Sequence, residues 1–180
     1  MLLLMSSTAA ADSLVRHPLL SRPVLELRGG VDASTLGPHP AVCAEVAPHR
    51  FVALEACGTG AGILVPGPGD DLVHFRAEAS VPVVERDRVD LTIQAGGGFA
   101  EVQRGEDAPG FLFGPARSET QTSGAGPEAS GAVKGRVWTL PGVYVSAEVT
   151  AGAAWIPAAP VVTGGTAVVP FGGVSVGVGF

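Results

Sequence analysis

Charged residues are scarce in this sequence, and those present do not form a patch of one sign. They make up 16 % of the 180 residues, whereas soluble domains carry about 25 %. The net charge is −6 and the four His residues are scattered, so no basic stripe is available to bind a phosphate backbone. These shortages argue against a soluble domain of ordinary composition and against a nucleic-acid partner.

Cysteine is almost absent, which limits the possible metal chemistry. The two cysteines, Cys43 and Cys57, are too far apart in sequence for a CxxC motif, and no His lies beside them at ligand spacing. We therefore expect no metal site and no other cofactor.

The sequence also lacks any stretch that could form a long apolar helix. It contains 26 Gly and 15 Pro, and both residues are costly inside helices. The charge-free segment from Val149 to Phe180 is long enough to cross a bilayer, but Pro157, Pro160 and Pro170 interrupt it. The remaining spanning structure is a closed β-barrel, in which neighbouring strands pair every backbone polar group.

Alternation of apolar and polar residues is what the sequence has instead. The clearest segment is 72–81, where one face carries Val73, Phe75, Ala77, Ala79 and Val81 and the other carries His74, Arg76, Glu78 and Ser80. Seven further segments alternate in the same way: 25–32, 42–47, 52–57, 89–96, 133–138, 143–152 and 174–180. Lipid-facing apolar residues alternating with lumen-facing ones are typical of barrel strands. The pattern predicts an all-β fold, an eight-stranded antiparallel up-and-down transmembrane β-barrel over residues 22–180.

The predicted connections alternate in length as well. Short turns are expected near 48–49, 85–87 and 140–142, and longer links at 35–40, 58–71, 104–130 and 157–166. Short periplasmic turns and long outer loops are typical of outer-membrane barrels.

The last strand carries a further signal. It places Val174, Val176, Val178 and Phe180 on one face and ends on the aromatic residue. In this respect the sequence resembles small bacterial outer-membrane β-barrel proteins of the OmpA/OmpX-type eight-stranded class, without a motif that identifies a specific family. The resemblance implies residence in the outer membrane of a Gram-negative bacterium, contact with outer-membrane lipid, and recognition of this strand by the barrel-assembly machinery. We expect a monomer.

A glycine run on the fifth predicted strand tests the predicted register. The run Gly96–Gly98 would place Glu101 and Gln103 on the outer face. Either a bulge shifts the register there, or the strand already projects beyond the bilayer.

The inward positions predict a polar lumen. Its charged members are Glu26, Arg28, Asp32, Glu45, Glu55, Arg76, Glu78, Asp90, Lys134, Arg136 and Glu148. An eight-stranded barrel is only wide enough for side chains to fill it, and unpaired buried charges are costly. We therefore expect an internal ion-pair network. The alternative is a narrow channel, which would prefer cations because acidic groups outnumber basic ones.

Cys43 and Cys57 share this inward face. They lie symmetrically about the turn near Arg50, and the periplasm is oxidising enough to join them. Either a cross-strand disulfide or two free buried thiols fits the sequence.

The N-terminus suggests export. Residues 1–11 contain a short apolar stretch, and Ala9 and Ala11 are the small residues that cleavage before Asp12 requires. We interpret 1–11 as a truncated export signal followed by a segment over 12–21; a frayed N-terminus is the alternative.

We expect the protein to act through contacts made by its surface and not through catalysis. His74 is the only His within a predicted strand, and Ser80 on the same face is about 20 Å away at the usual rise per residue, so we expect no enzyme. The loop 104–130, with Phe111, Leu112 and Phe113, is either a binding loop or a solvated one. The expected function is a structural or interaction barrel; the alternative is a soluble secreted lipocalin-like carrier, whose apolar faces would point inward.

Overall fold

The computed structural model describes residues 24–59, 70–105 and 111–180. The predicted export signal 1–11 and the segment 12–21 lie outside these residues. Eight strands make up the fold: β1 Val24–Ser34, β2 Gly37–His49, β3 Val52–Gly58, β4 Asp71–Arg86, β5 Val89–Gln103, β6 Ser123–Leu140, β7 Val143–Trp155 and β8 Val168–Gly179. One short helix, α1 Ala159–Thr163, precedes β8. None of the helices in the described ranges has the length and apolar character needed to cross a bilayer.

The strands form one closed sheet in which each strand pairs antiparallel with the next. β1 also pairs with β8, which closes the barrel. At this seam the backbone N–H of Leu25 donates to the carbonyl of Phe180 and the N–H of Phe180 donates to the carbonyl of Leu25, both at 3.0 Å. The predicted eight-stranded antiparallel up-and-down barrel is thereby confirmed.

The two ends of the barrel differ. At the end we call the turn end, two-residue turns at 50–51, 87–88 and 141–142 join the strands, and β1 begins beside the end of β8. At the opposite, long-loop end, the links span 59–70, 104–122 and 156–167.

The first link at the long-loop end is shorter than predicted. The sequence suggested 35–40, but only residues 35 and 36 separate β1 from β2. Pro38 and Pro40 lie inside β2, where they pair with Ala33 and Val31. Among the described residues, β3 pairs with β2 only from Val42 to His49, so both prolines lie beyond this part of the β2–β3 ladder.

The third long link is also shorter than predicted. β6 begins at Ser123, so the loop predicted as 104–130 ends at 122. Residues 124–131 contain three Gly and a Pro and therefore look like loop sequence. In the barrel they pair in continuous register with β5, from Gly124 opposite Val102 to Gly131 opposite Ala95.

The register of β5 is continuous through its glycine run. Its pairing with β6 has no shift from Val89 to Gln103. Glu101 and Gln103 therefore keep the outward parity of Phe99 and lie beyond it toward the long-loop end, although Glu101 is buried there, at 3 % exposure. The alternative of a bulge at Gly96–Gly98 is excluded.

Candidate functional site: the closed lumen

Arg28 is the centre of the charged cluster inside the barrel. Its Nη1 donates to Glu26 Oε1 at 2.8 Å and to Glu45 Oε2 at 2.7 Å. Its Nη2 donates to Glu55 and, at 3.2 Å, to Glu148 Oε1. The four carboxylates come from β1, β2, β3 and β7, so one guanidinium joins strands on opposite sides of the barrel.

Lys134 and Arg136 on β6 complete this cluster. Lys134 Nζ contacts Glu45 and lies 3.0 Å from Glu148 Oε2 and 3.6 Å from Glu26 Oε1. Arg136 lies 3.7 Å from Glu26 and 3.6 Å from Glu45. The side chain of Lys134 is fully buried, and a buried ammonium is stable only when it is paired in this way.

A second group lies nearer the long-loop end. Arg76 Nε is 2.7 Å from Glu55 Oε1 and 3.9 Å from Glu128 Oε1. Glu128 Oε2 is 2.5 Å from His74 Nδ1, and the His74 ring packs at 4.3 Å from that of Phe171. Glu128 was missed in the sequence because it falls in the segment predicted as loop; extending the alternation of β6 backward from Lys134 would have placed it on the inward face.

Three of the charged residues predicted for the network face inward but form no ion pair with the described residues. Glu78 accepts a hydrogen bond from Gln94 Nε2 at 3.1 Å. Asp90 accepts one from Trp138 Nε1 at 2.9 Å. Asp32 lies against Gly173, nearer the long-loop end than Arg28. Alternation fixes which face a residue occupies, whereas pairing also depends on its height in the barrel, which the sequence pattern does not give.

Two glycines of β8 make room for the network. A Cβ added at Gly177 would collide with the Arg28 side chain, and one at Gly179 would collide with the Tyr144 ring. That ring reaches across to donate from its hydroxyl to Glu26 Oε2 at 2.5 Å. The absence of side chains at these two positions of β8 thus leaves the space that the large side chains of the neighbouring strands β1 and β7 occupy.

Cys43 and Cys57 occupy paired positions on β2 and β3. The structure joins them in a disulfide, with their Cα atoms 4.1 Å apart. Both are buried, at 6 % and 4 % exposure. A small internal cavity lies beside them, lined also by Asp32, Arg76 and Phe171.

The carboxylates do not suggest a metal centre. Glu45, Glu55 and Glu78 each place an oxygen within 4.8 Å of the others. Glu45 and Glu55 already contact Arg28, and this positive charge opposes a further cation. The other group that geometry brings together, Cys43, Glu55 and Cys57, has both sulfurs engaged in the disulfide.

An apolar lid closes the lumen at the long-loop end. It consists of Leu72, Ala100, Val102, Ala154, Ile156, Ala159, Val162, Val169 and Phe171. Ile156 is fully buried and Val162 is 2 % exposed, so the link between β7 and β8, including α1, folds into the barrel mouth. Arg104 Nη1 donates to the carbonyl of Val162 at 3.2 Å, which ties this link to β5.

A shallow vestibule opens at the turn end. Its lining includes Glu45, Arg136, Trp138 and Tyr144, so the charged cluster forms its floor. The lumen is consequently polar and packed in the middle, apolar at one end and open only as a shallow vestibule at the other.

The fold has counterparts among solved structures, although no family model and no curated protein matches the sequence. Neisserial surface protein A matches with a TM-score of 0.56 and 14 % identity over 87 % of this chain and 94 % of its own. The N-terminal barrel domain of Pseudomonas aeruginosa OprF matches with a TM-score of 0.49 and 10 % identity over 88 % and 98 %. Ail of Yersinia pestis matches with a TM-score of 0.40 and 9 % identity over 89 % and 99 %.

The match to Neisserial surface protein A shows a shared fold and, at this identity, nothing more specific. Together with the closed eight-stranded topology, it establishes the class. The chain is a small eight-stranded transmembrane β-barrel, similar to bacterial outer-membrane barrels and assigned to no particular family among them.

Proposed function

We propose that this chain is an outer-membrane barrel with a plugged lumen, serving as a rigid membrane scaffold that presents its long-loop end for interaction. The observation that carries the proposal is the inversion of an ordinary protein interior: apolar side chains cover the outside, and charged pairs fill the inside.

The outer surface has the character of a lipid-facing wall. Large aliphatic side chains on every strand are exposed there, among them Leu27, Val42, Leu54, Val81, Ile93, Val133, Val149 and Val174. A soluble carrier would instead turn these residues inward and leave the charged face to water. The exposure pattern therefore favours the membrane barrel over the lipocalin-like alternative.

The height of the apolar wall fits a bilayer. β7 runs for 13 residues from Val143 to Trp155. At about 3.3 Å per residue and a tilt of about 40°, this length projects to roughly 30 Å, close to the thickness of the hydrocarbon core. Trp155 is 58 % exposed at one border, and Phe180 is 58 % exposed at the other, which suits the aromatic rings that flank the apolar band.

The packed lumen favours a scaffold over a channel. The Arg28 cluster crosses the barrel from Glu55 on β3 to Glu148 on β7, and the apolar lid seals the long-loop end. An ion would have to displace both, so we expect no steady conductance.

The test combines fractionation with heat-modifiability. The chain is expressed with a complete export signal, outer membranes are isolated, and gel mobility is compared with and without boiling. Outer-membrane residence with a shift on boiling supports the proposal, whereas a soluble periplasmic product would overturn it.

Planar-bilayer recording on the purified barrel then separates scaffold from channel. A flat current trace fits the plugged scaffold. Stable single-channel currents, particularly cation-selective ones, would replace the scaffold with the channel alternative.

A further inference from the structure

Four phenylalanine rings meet on the outer surface near the long-loop end. Phe75 and Phe99 come from the wall, on β4 and β5, and Phe111 and Phe113 come from the loop 104–122. Phe111 lies 5.6 Å from Phe75 and 5.3 Å from Phe99, and Phe113 lies 5.6 Å from Phe99. We call these four residues the aromatic patch.

The loop segment is held against the wall by its backbone as well. The N–H of Ala125 on β6 donates to the carbonyl of Leu112 at 2.8 Å, and Phe113 forms a parallel bridge with Ala125. Phe111 and Phe113 nevertheless remain 45 % and 56 % exposed. The segment is thus fixed in position while about half of the surface of each of these two residues stays exposed.

The patch lies at the border of the apolar wall. Phe75 pairs with Phe99, and Phe99 pairs with Pro127. Since Glu128 pairs with Ala154, Pro127 is level with Trp155, the exposed aromatic residue of β7. The patch therefore lies at the same height as Trp155, and the next outward position on β5 is Glu101, which is buried at 3 % exposure.

We propose that the segment Phe111–Phe113 is a lipid-binding wedge, whose rings insert among the acyl chains of the leaflet at the long-loop end. This inference rests on the proposed function, because it requires the wall to face lipid. Its support is continuity: the exposed rings extend the apolar wall without a polar residue between them. The wedge holds the loop down on the membrane at one side of the barrel, leaving residues 115–122 to face solvent.

Quenching by lipids that carry bromine on the acyl chains tests the wedge. The chain has two Trp residues: Trp155 is on the outer wall, and Trp138 lines the vestibule. In the Trp155→Phe background, Phe113→Trp reports on the wedge while keeping an aromatic ring there. Thr120→Trp in the same background is the matched control, because Thr120 is an exposed residue of the same loop.

In brominated phosphatidylcholine vesicles, we expect Trp155 of the unsubstituted chain and the indole introduced by Phe113→Trp to lose fluorescence to a similar extent. The indole introduced by Thr120→Trp should be quenched little, and the fluorescence of the Trp155→Phe background should also change little. Each variant is first shown to shift on boiling, so that only folded barrels are compared.

The outcomes separate the two proposals. Quenching of Trp155 without quenching at position 113 would overturn the wedge and leave the membrane barrel intact. Absence of quenching at both positions would overturn the membrane barrel itself. Quenching of position 113 at low protein-to-lipid ratio that disappears at high ratio would still support the wedge for the isolated barrel, with a second copy displacing lipid from the patch.

Discussion

Arg28 on β1 donates a hydrogen bond to Glu148 on β7 at 3.2 Å, although the two residues are 120 positions apart in the chain. The contact passes over β8, which lies between the two strands in the closed sheet. Arg28 also holds Glu26, Glu45 and Glu55. Its loss would leave several buried carboxylates short of a counter-charge.

Arg28→Met should therefore lower the free energy of unfolding strongly. Removing one partner of a buried ion pair costs about 3–5 kcal/mol. Equilibrium unfolding in guanidinium, followed by the gel shift, measures the change. Arg86→Met is the control, since Arg86 is exposed near the turn end. Equal midpoints for the two variants would contradict the central role of Arg28.

Replacing both Cys43 and Cys57 with Ala should destabilise the barrel more moderately. The disulfide closes a segment with a sequence separation of 14, for which the chain-entropy relation gives about 3 kcal/mol. The same unfolding assay applies, and the unsubstituted chain unfolded with reductant should approach the double variant. If the double variant is as stable as the oxidised chain, the bond contributes nothing to stability.

Gly124→Leu should loosen the apolar lid. A Cβ at this position would lie 2.5 Å from the Cβ of Ala158, and overpacking of this kind costs about 1–3 kcal/mol. Since about 1.4 kcal/mol corresponds to a tenfold change in population, dithiothreitol should reduce the buried disulfide at least several-fold faster in the folded variant. Alkylation of the released thiols gives the rate.

Gly135→Leu is the matched control on the same strand. A Cβ at Gly135 meets nothing within 4 Å, so reduction should proceed at the rate of the unsubstituted chain. Equal rates for both variants would show that the lid does not guard the disulfide.

Phe180→Ala should impair assembly in cells more than folding in detergent. The ring is 58 % exposed, so the folded barrel loses little packing, while the barrel-assembly machinery is expected to read this residue. Phe51→Ala removes a comparably exposed ring at the same end, where Phe51 is 41 % exposed. Equal outer-membrane yields for the two variants would argue against Phe180 as an assembly signal.

Alternation predicted the barrel because burial on only one face forces a period of two along each strand. Val73, Phe75 and Ala77 against His74, Arg76 and Glu78 are sufficient to fix which face of β4 is inward. The same reasoning failed for the start of β6, since Gly124, Gly126 and Pro127 carry little contrast between faces. Because this segment was predicted as loop, Glu128 was missing from the predicted charged network.

The lid could not be derived from local pattern. Ile156 and Val162 lie in a link interrupted by Pro157 and Pro160, and nothing in their spacing indicates that the link folds inward. Their burial depends on Ala100, Val102 and Phe171 from other strands. The ion pairs could not be derived from local pattern either. Strand tilt and the space left by Gly177 determine which inward carboxylates contact Arg28.

The seam between β1 and β8 has a consequence for biogenesis. The strands that close the cylinder are the first and the last of the described chain, and Leu25 bonds to Phe180. No ribosome-bound fragment that lacks β8 can complete the ring, and its two outer strands keep unpaired backbone groups that favour aggregation. Closure must therefore wait for the synthesis of β8, and the chain has to be kept apart from others until that strand is available.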